Sequence, residues 1–202
     1  MNGESLKCRI IIRPTDKVST LKRLIFVTGP PGVGKTSVLL RTVNGLKNRG
    51  YEIGGMISRE VREGGIRVGF EIMDFSTEQR GWLAHINQPT GPKISKYRVN
   101  LTDLDAIGVS SILDAIRNAD IIIVDEIGPM ELFSPAFRDA VAQALESNKP
   151  ALGTIHFGLR DSLINNIKKR EDAEILEVTY ENRETLHNLI IEKVVQSLQK
   201  LS

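Results

Sequence analysis

Residues 29–36 have the types and the spacing of a phosphate-binding loop. Four of them, Gly29, Gly34, Lys35 and Thr36, match the pattern G-x-x-x-x-G-K-[ST] in full. The backbone N–H groups of such a loop and the start of the following helix form an anion site. The lysine then reaches the β- and γ-phosphates, and the threonine hydroxyl binds Mg²⁺. We therefore expect nucleoside triphosphate and Mg²⁺ to be bound by Gly29, Pro30, Pro31, Gly32, Val33, Gly34, Lys35 and Thr36.

The residues on either side of the loop predict the strand and the helix that must position it. Leu24–Thr28 is a short apolar run typical of a buried strand. After the loop, Leu39, Val43 and Leu46 recur at helical spacing, which predicts an amphipathic helix with one buried face. A strand, a loop and a helix in this order are the context in which the motif binds phosphate.

Two adjacent carboxylates, Asp125 and Glu126, follow an apolar run that is typical of a central parallel strand. Four apolar residues before an aspartate match the second element of phosphate-loop enzymes, in which the aspartate holds Mg²⁺. We therefore predict Asp125 and Thr36 as the metal-binding residues. A carboxylate in the place of Glu126 can orient and deprotonate a water molecule, so Glu126 is the predicted general base. The apolar run is Ile121, Ile122, Ile123 and Val124.

Phosphoryl transfer also needs a group that stabilises the charge of the transition state, usually an arginine in addition to Lys35. We predict Arg160, because it follows the expected strand 151–155, where strand ends should meet around the phosphates. For any one arginine a solvated surface charge is the commoner role. The three histidines have no ligand-like spacing, and we assign them no metal. The candidate arginines are Arg59, Arg62, Arg67, Arg138, Arg160, Arg170 and Arg183.

The rest of the chain alternates between strand and helix patterns. It predicts an α/β fold with a mostly parallel sheet, helices on both faces, and a β-hairpin-rich insertion after the first helix. The insertion is expected because Glu63-Gly64-Gly65 supplies a turn between two extended runs. Further strands are predicted at 54–58, 66–75, 81–86, 96–101, 151–155 and 173–178, and further helices at about 104–118, 134–147, 162–169 and 183–201.

Length and composition limit the class of protein. The 202 residues suit a phosphate-loop domain over 23–202, preceded by an extension, 1–22, that could be an edge strand or an arm. A net charge of +2 is too small to suggest nucleic-acid binding. No apolar run reaches membrane-spanning length, and no signal peptide is recognisable. The single cysteine, Cys8, fits a reducing compartment, so we expect a cytoplasmic protein. The sequence does not give the oligomeric state.

Beyond the loop, the chain resembles the nucleoside-triphosphatase family of archaea, thermophilic bacteria and animals. The most specific motif is Asp-Glu-Ile-Gly-x-Met-Glu-Leu, and the resemblance runs from about residue 24 to the C-terminus. The matching stretches are Glu60-Val61-Arg62, Arg67-Val68-Gly69-Phe70, Asp125-Glu126-Ile127-Gly128-Pro129-Met130-Glu131-Leu132 and Glu181-Asn182-Arg183.

This resemblance implies a phosphate-loop fold and Mg²⁺-dependent hydrolysis of several nucleoside triphosphates (ATP, GTP, CTP and UTP) to the diphosphate and phosphate. The base is expected near Asn182 and Arg183, just past the last strand. Besides the loop, the resemblance implies nucleotide contact by Ile121, Ile122, Ile123, Val124, Asp125, Glu126, Ile127 and Gly128.

Two other functions remain open from the residues. A nucleotide or small-molecule kinase would use a hydroxyl or phosphate acceptor instead of water, but residues 160–170 are short and only moderately basic for a kinase lid. A nucleotide-binding switch would have negligible turnover, and the carboxylate of Glu126 favours hydrolysis over this alternative.

Overall fold

The computed structural model describes residues 22–201, and within them nine strands form one sheet. The predicted extension 1–22, with Cys8, therefore lies outside the described residues except for Lys22. The strand order is β5-β6-β4-β3-β2-β7-β8-β1-β9. The strands are β1 Leu24–Thr28, β2 Ile53–Glu63, β3 Ile66–Asp74, β4 Arg80–His85, β5 Lys93–Ile94, β6 Tyr97–Val99, β7 Ile121–Ile127, β8 Ala151–Ile155 and β9 Ala173–Glu177.

The sheet has two halves that differ in strand direction. Strands β2, β7, β8, β1 and β9 run parallel and form the parallel half. Residues 58–99, from the second part of β2 to β6, pair antiparallel and form the antiparallel wing. Strand β2 belongs to both, because Ile53 to Ile57 pair with β7 and residues from Met56 onward pair with β3. The predicted hairpin-rich insertion is therefore a continuation of the same sheet.

Helices cover both faces of the parallel half, as predicted. Several begin at a side chain that accepts a backbone N–H: Asn100 from Asp103, Ser134 from Phe137, and Asp161 from Leu163. No helix within residues 22–201 is long and apolar enough to cross a membrane. The helices are α1 Lys35–Lys47, α2 Leu101–Asp103, α3 Ser110–Asn118, α4 Pro135–Glu146, α5 Ser162–Lys169 and α6 Leu186–Leu201, with a π-helical turn at Leu104–Val109 joining α2 to α3.

Alternation along the buried strands divides the core into two clusters. On one face Ile25, Val27, Ile121 and Ile123 pack with residues of α1 and α6, including the predicted Leu39, Val43 and Leu46. On the other face Phe26, Ile122 and Val124 pack with residues of α3, α4 and α5. A strand buried on both faces needs apolar residues at every position, which explains the continuous run before Asp125.

Several predicted boundaries were wrong. The strand expected at 54–58 runs on to Glu63, because its later residues pair with β3. In two other places a local hydrogen bond ends or begins an element. The strand expected at 96–101 stops at Val99, because the Asn100 side chain caps a helix that begins at Leu101. The last helix was expected from Arg183 but begins at Leu186, because Asn182 holds a turn after β9.

Candidate active site

The phosphate loop joins the end of β1 to the start of α1, at the edge of the sheet where the parallel strands end. Gly29, Gly32 and Gly34 have φ angles of 146°, 77° and 111°, which favour glycine. A Cβ on Gly29 would also lie 2.7 Å from the carbonyl oxygen of Val178. The chain just after β9 therefore approaches the loop so closely that only glycine fits at this position.

The lysine of the loop lies over the loop backbone. Lys35 Nζ donates to the carbonyl oxygen of Gly29 at 3.2 Å. This places the ammonium group beside the loop N–H groups, where phosphate oxygens would bind. Val33, within the loop, is buried, with 1% of its surface exposed. The structure thus brings together the predicted residues of the loop.

Asp125 is buried at the end of β7, with only 1% of its surface exposed. Burial raises the pKa of its carboxyl to about 6, and the hydroxyls of Thr154 and Thr36 oppose this rise. Thr154 donates to Oδ1 at 2.5 Å, whereas Oδ2 has no hydrogen-bond partner among the described residues. A buried carboxylate oxygen without a partner, beside the Thr36 hydroxyl, is a donor set of hard oxygens that suits Mg²⁺.

Glu126 is half-buried and lines the cavity next to the phosphate loop. Burial raises the pKa of its carboxyl, and the positive charge of Lys35 opposes the rise. A raised pKa brings a carboxylate closer to the range in which it can accept a proton near neutral pH. The peptide bond between Asp125 and Glu126 is cis.

Sequence reasoning gave no role to Glu131, which the structure places against the same site. It is 4% exposed, and burial raises the pKa of its carboxyl to about 8, helped by the nearby charges of Glu126 and Asp125. A Cβ on Gly128 would lie 3.0 Å from Oε2 of Glu131 and 3.3 Å from Oε1 of Glu126. Both carboxyl groups therefore flank the turn after β7. The only signal for Glu131 was its place in the specific motif that follows Asp125.

A cavity of about 570 Å³ opens between the phosphate loop and the antiparallel wing. His156, directly after β8, lies in its wall; its Nδ1 has no partner among the described residues, and burial followed by the charge of Lys35 lowers its pKa. No sequence signal pointed to His156 as a site residue. The cavity is lined by Gly29, Pro31, Gly32, Gly34, Lys35, Thr36, Ser37, Ser58, Arg59, Glu60, Phe70, Glu126, His156 and Phe157.

The turn after β9 lies on the other side of the loop. The Arg183 side chain passes 3.7 Å from the position of a Cβ on Gly34, and its guanidinium lies 5.2 Å from the Tyr180 ring. The amide of Asn182 accepts from the Thr179 N–H and donates to the Glu177 carbonyl. Asn182 therefore holds the turn, while Tyr180 and Arg183 present flat faces beside the loop.

Other predicted site residues lie away from the cavity. The four apolar residues before Asp125 are in the core, so their side chains position the carboxylates and do not face a ligand. Arg160 is exposed in the segment between β8 and α5 and is not among the residues that line the cavity. Its role as transition-state stabiliser stays a prediction.

Comparisons with known proteins indicate the family of this chain. A profile described as NTPase matches residues 24–191. The nucleoside-triphosphatase THEP1 of Thermofilum pendens is 45% identical over 161 residues, covering 79% of this chain and 88% of that protein. The solution structure of a human cancer-related nucleoside triphosphatase has a TM-score of 0.74 at 35% identity, covering 87% and 98% of the two chains. The crystal structure of THEP1 from the hyperthermophile Aquifex aeolicus also has a TM-score of 0.74, at 29% identity, covering 85% and 98%.

The match extends over the loop, the two carboxylates and the turn after β9. Because the profile spans most of the chain and the relatives are matched over most of their own length, the chain belongs to the nucleoside-triphosphatase family and has a phosphate-loop fold.

Proposed function

We propose that the protein hydrolyses nucleoside triphosphates to the diphosphate and phosphate, with Mg²⁺ and with little selectivity for the base. The observation that carries the proposal is that a half-buried carboxylate, Glu126, lines the same cavity as Lys35 of the phosphate loop. A base and a phosphate-binding cation on one cavity are the arrangement that activation of water beside a γ-phosphate requires.

Binding of the triphosphate is assigned to the loop. Its N–H groups and the ammonium of Lys35 neutralise the phosphate oxygens. Asp125 and Thr36 would hold Mg²⁺, which, when bound, neutralises charge that develops on the β- and γ-oxygens. The unpartnered Oδ2 of Asp125 supports this assignment, because a buried carboxylate oxygen gains most from a cation.

The chemical step is assigned to Glu126 and Lys35. The carboxylate of Glu126 accepts a proton from water, whose oxygen forms a bond to the γ-phosphorus. The bond from the γ-phosphorus to the bridging oxygen breaks, and the nucleoside diphosphate leaves. Lys35 stabilises the charge that is redistributed over the phosphate oxygens.

The side chains of the turn after β9 support low selectivity for the base. The polar groups of the Asn182 side chain are engaged within the turn, while Tyr180 and Arg183 expose flat faces. Stacking on flat faces tolerates every base, because each base has a π-face. A site without base-specific hydrogen bonds should discriminate among the four nucleotides by much less than about 10⁴-fold.

The experiment is to measure phosphate release from ATP, GTP, CTP and UTP with no acceptor except water. We expect steady release from all four with Mg²⁺ and a loss of activity with a chelator. Binding of nucleotide without any release would overturn the proposal and would favour a switch. Release from one nucleotide alone, with discrimination beyond about 10⁴-fold, would contradict the low selectivity.

A further inference from the structure

The proposed hydrolysis needs a cation besides Lys35 to stabilise the charge of the transition state. In phosphate-loop enzymes an arginine commonly has this role and is worth about 10³–10⁵ in rate. Arg160, which the sequence predicts for it, does not line the cavity beside the phosphate loop. Arg59 does, and it is the one arginine among the described residues that line this cavity. The structure therefore favours Arg59 over Arg160.

The strand register places Arg59 beside Asp125. Strand β2 runs parallel to β7, and Ile57 is paired with Asp125. Arg59 follows two residues later, at a rise of about 3.3 Å per residue, and neighbouring strands lie about 4.8 Å apart. The Cα atoms of Arg59 and Asp125 are therefore separated by roughly 8 Å. Arg59 thus lies one strand away from the carboxylate that is assigned to Mg²⁺, just beyond the end of the parallel pairing.

Arg59 also lies on the face of the sheet that α1 covers. Ile57 packs against the core cluster that contains residues of α1. Side chains alternate along a strand, so those of Ile57 and Arg59 project from the same face. Lys35 and Thr36 begin α1. The two cations, Lys35 and Arg59, are therefore on one side of the sheet and line one cavity.

We propose that Arg59 donates N–H groups to the oxygens of the γ-phosphate and stabilises the charge that develops there during hydrolysis. The inference rests on the proposed function, in which Lys35 binds the γ-phosphate and Glu126 activates water, and it adds a catalytic residue to that site. The reaction stays at the phosphate loop of the parallel half, and the antiparallel wing supplies one further charge to it.

The ion pair with Glu71 orients Arg59 without using all of its donors. The two residues are direct partners in the register of β2 and β3, and Nε of Arg59 lies 2.6 Å from Oε2 of Glu71. No hydrogen bond to a residue within 22–201 uses the two terminal nitrogens of Arg59. A guanidinium has five N–H donors, so those of the terminal nitrogens remain for a ligand. The carboxylate thus holds the base of the guanidinium fork, and the two ends are available to a phosphate.

The ion pairs of this part of the wing leave a surplus of positive charge. Four arginines share two carboxylates, and each carboxylate contacts two arginines. Glu60, which also lines the cavity, is held by Arg62 and Arg67 and does not neutralise Arg59. A positive surplus at the cavity attracts an anion such as the terminal phosphate. The four arginines are Arg59, Arg62, Arg67 and Arg80, and the two carboxylates are those of Glu60 and Glu71.

The guanidinium suits this role because it stays charged throughout the reaction. It can donate two parallel N–H bonds to two oxygens of one phosphate, and it exchanges no proton near neutral pH. Glu126 therefore remains the acceptor of the proton of water, and the bonds that form and break are those of hydrolysis. Hydrogen bonds from Arg59 that strengthen as charge builds on the γ-oxygens lower the barrier without tightening the binding of the substrate.

Variants of Arg59 test the inference through rate and binding together. Arg59→Ala should lower kcat for Mg-ATP about 10²-fold, the size of one lost donor to transition-state charge. The Kd of a non-hydrolysable ATP analogue should change little, because the loop N–H groups and Lys35 supply that affinity. Arg59→Lys keeps the charge but not the fork, so its kcat should fall between those of wild type and the alanine variant.

Arg80→Ala is the matched control. Arg80 contacts the same carboxylate, that of Glu71, at 3.4 Å from strand β4, but it does not line the cavity. Its side chain is 44% exposed and that of Arg59 is 59% exposed, so the two sites are alike in solvent access. Arg80→Ala should therefore leave kcat unchanged. An equal loss of rate in the two alanine variants would overturn the inference, because the loss would then come from the ion pair and not from a contact with phosphate.

A transition-state analogue separates the role of Arg59 from substrate binding. Mg-ADP with aluminium fluoride mimics the phosphoryl group during transfer. Arg59→Ala should weaken the binding of this complex at least about tenfold, the size of one hydrogen bond to a charged group. Equal affinity of wild type and variant for the fluoride complex, or a higher KM for Mg-ATP with an unchanged kcat, would overturn the inference. A loss of rate in Arg160→Ala that Arg59→Ala does not show would overturn it as well.

Failure of the proposed function is read separately in the same experiments. Wild-type protein that releases no phosphate, but whose fluoride complex depends on Arg59, would contradict hydrolysis and support the contact of Arg59 with the phosphate. Steady phosphate release by wild type and Arg59→Ala alike would support hydrolysis and overturn the assignment of Arg59.

Discussion

The parallel half and the antiparallel wing place their charged groups in different environments. In the parallel half Asp125 and Glu131 are 1% and 4% exposed, and burial raises the pKa of both carboxyls. In the wing the charged side chains form ion pairs at the surface, such as Arg62 with Glu60. Burying a carboxyl group costs free energy unless a ligand or hydrogen bonds compensate. The contrast supports the proposal that the chemistry takes place in the parallel half, while residues of the wing line the cavity.

The largest effect is expected at Lys35. Lys35→Ala should lower phosphate release at least about 10²–10³-fold while the fold survives, because it removes the charge that faces the transferring group. The measurement is kcat for Mg-ATP, together with the far-UV circular dichroism spectrum. Lys168→Ala, at an exposed lysine of α5, is the control and should keep normal turnover. Near-normal phosphate release by the Lys35 variant would mean that the reaction does not take place at the phosphate loop of the parallel half.

A second effect concerns the metal. Asp125→Asn should raise the Mg²⁺ concentration that gives half-maximal rate by about tenfold or more, because it removes a formal charge beside the ion. Titration of Mg²⁺ against rate measures this shift. Asp139→Asn on the exposed side of α4 should leave the midpoint unchanged. An unmoved midpoint in the Asp125 variant would mean that another group holds the metal.

The buried carboxyl of Glu131 should make stability depend on pH. Its pKa is about 8 in the folded protein, against about 4.3 in an unfolded chain. Between these values the folded protein retains a proton that the unfolded chain has lost, so the free energy of unfolding falls as pH rises. The slope from this group is at most about 1.4 kcal/mol per pH unit.

Glu131→Gln should remove this part of the slope, because the amide does not titrate. Urea unfolding of wild type and variant from pH 5 to 8 measures the difference. Parallel slopes in the two proteins would show that the carboxyl is ionised in the fold, and the contrast between buried and surface charges would weaken.

The smallest effect is expected in the wing. Glu71 pairs with Arg59 at 2.6 Å and with Arg80 at 3.4 Å, and both arginines are well exposed. Glu71→Gln should therefore lower the free energy of unfolding by no more than about 1 kcal/mol. Urea unfolding at constant pH measures it. A loss of several kcal/mol would mean that the wing, too, depends on its charges.

Much of the fold could be predicted because its signals are local. The run before Asp125 indicated a buried parallel strand, and Ser134 before Pro135 indicated a helix start; both are confirmed. The end of the strand near Val99 was wrong because Asn100 caps a helix, and an asparagine can equally hold a turn. Nothing local showed that the hairpins extend the central sheet, because strand pairing depends on residues far apart in sequence.

The same distinction between local signals and folded contacts applies to the residues of the site. The loop and the two carboxylates were found because their chemistry requires fixed spacing, from Gly29 to Thr36 and from the strand to Glu126. Glu131 and His156 were missed because what distinguishes them is burial and the pKa shift that burial causes, and the spacing of residues in the sequence does not show burial.

The central claim is that Glu126 is the general base, and one comparison tests it most directly. Single-turnover hydrolysis and a nucleotide-binding titration are measured on Glu126→Gln, with Glu192→Gln on the exposed side of α6 as the control. The amide keeps the shape of the side chain but cannot accept a proton, so hydrolysis should fall about 10²–10⁴-fold. Binding should change little, because the loop N–H groups and Lys35 supply the phosphate affinity. Normal hydrolysis by this variant would contradict the account, because the proton would then go to another group.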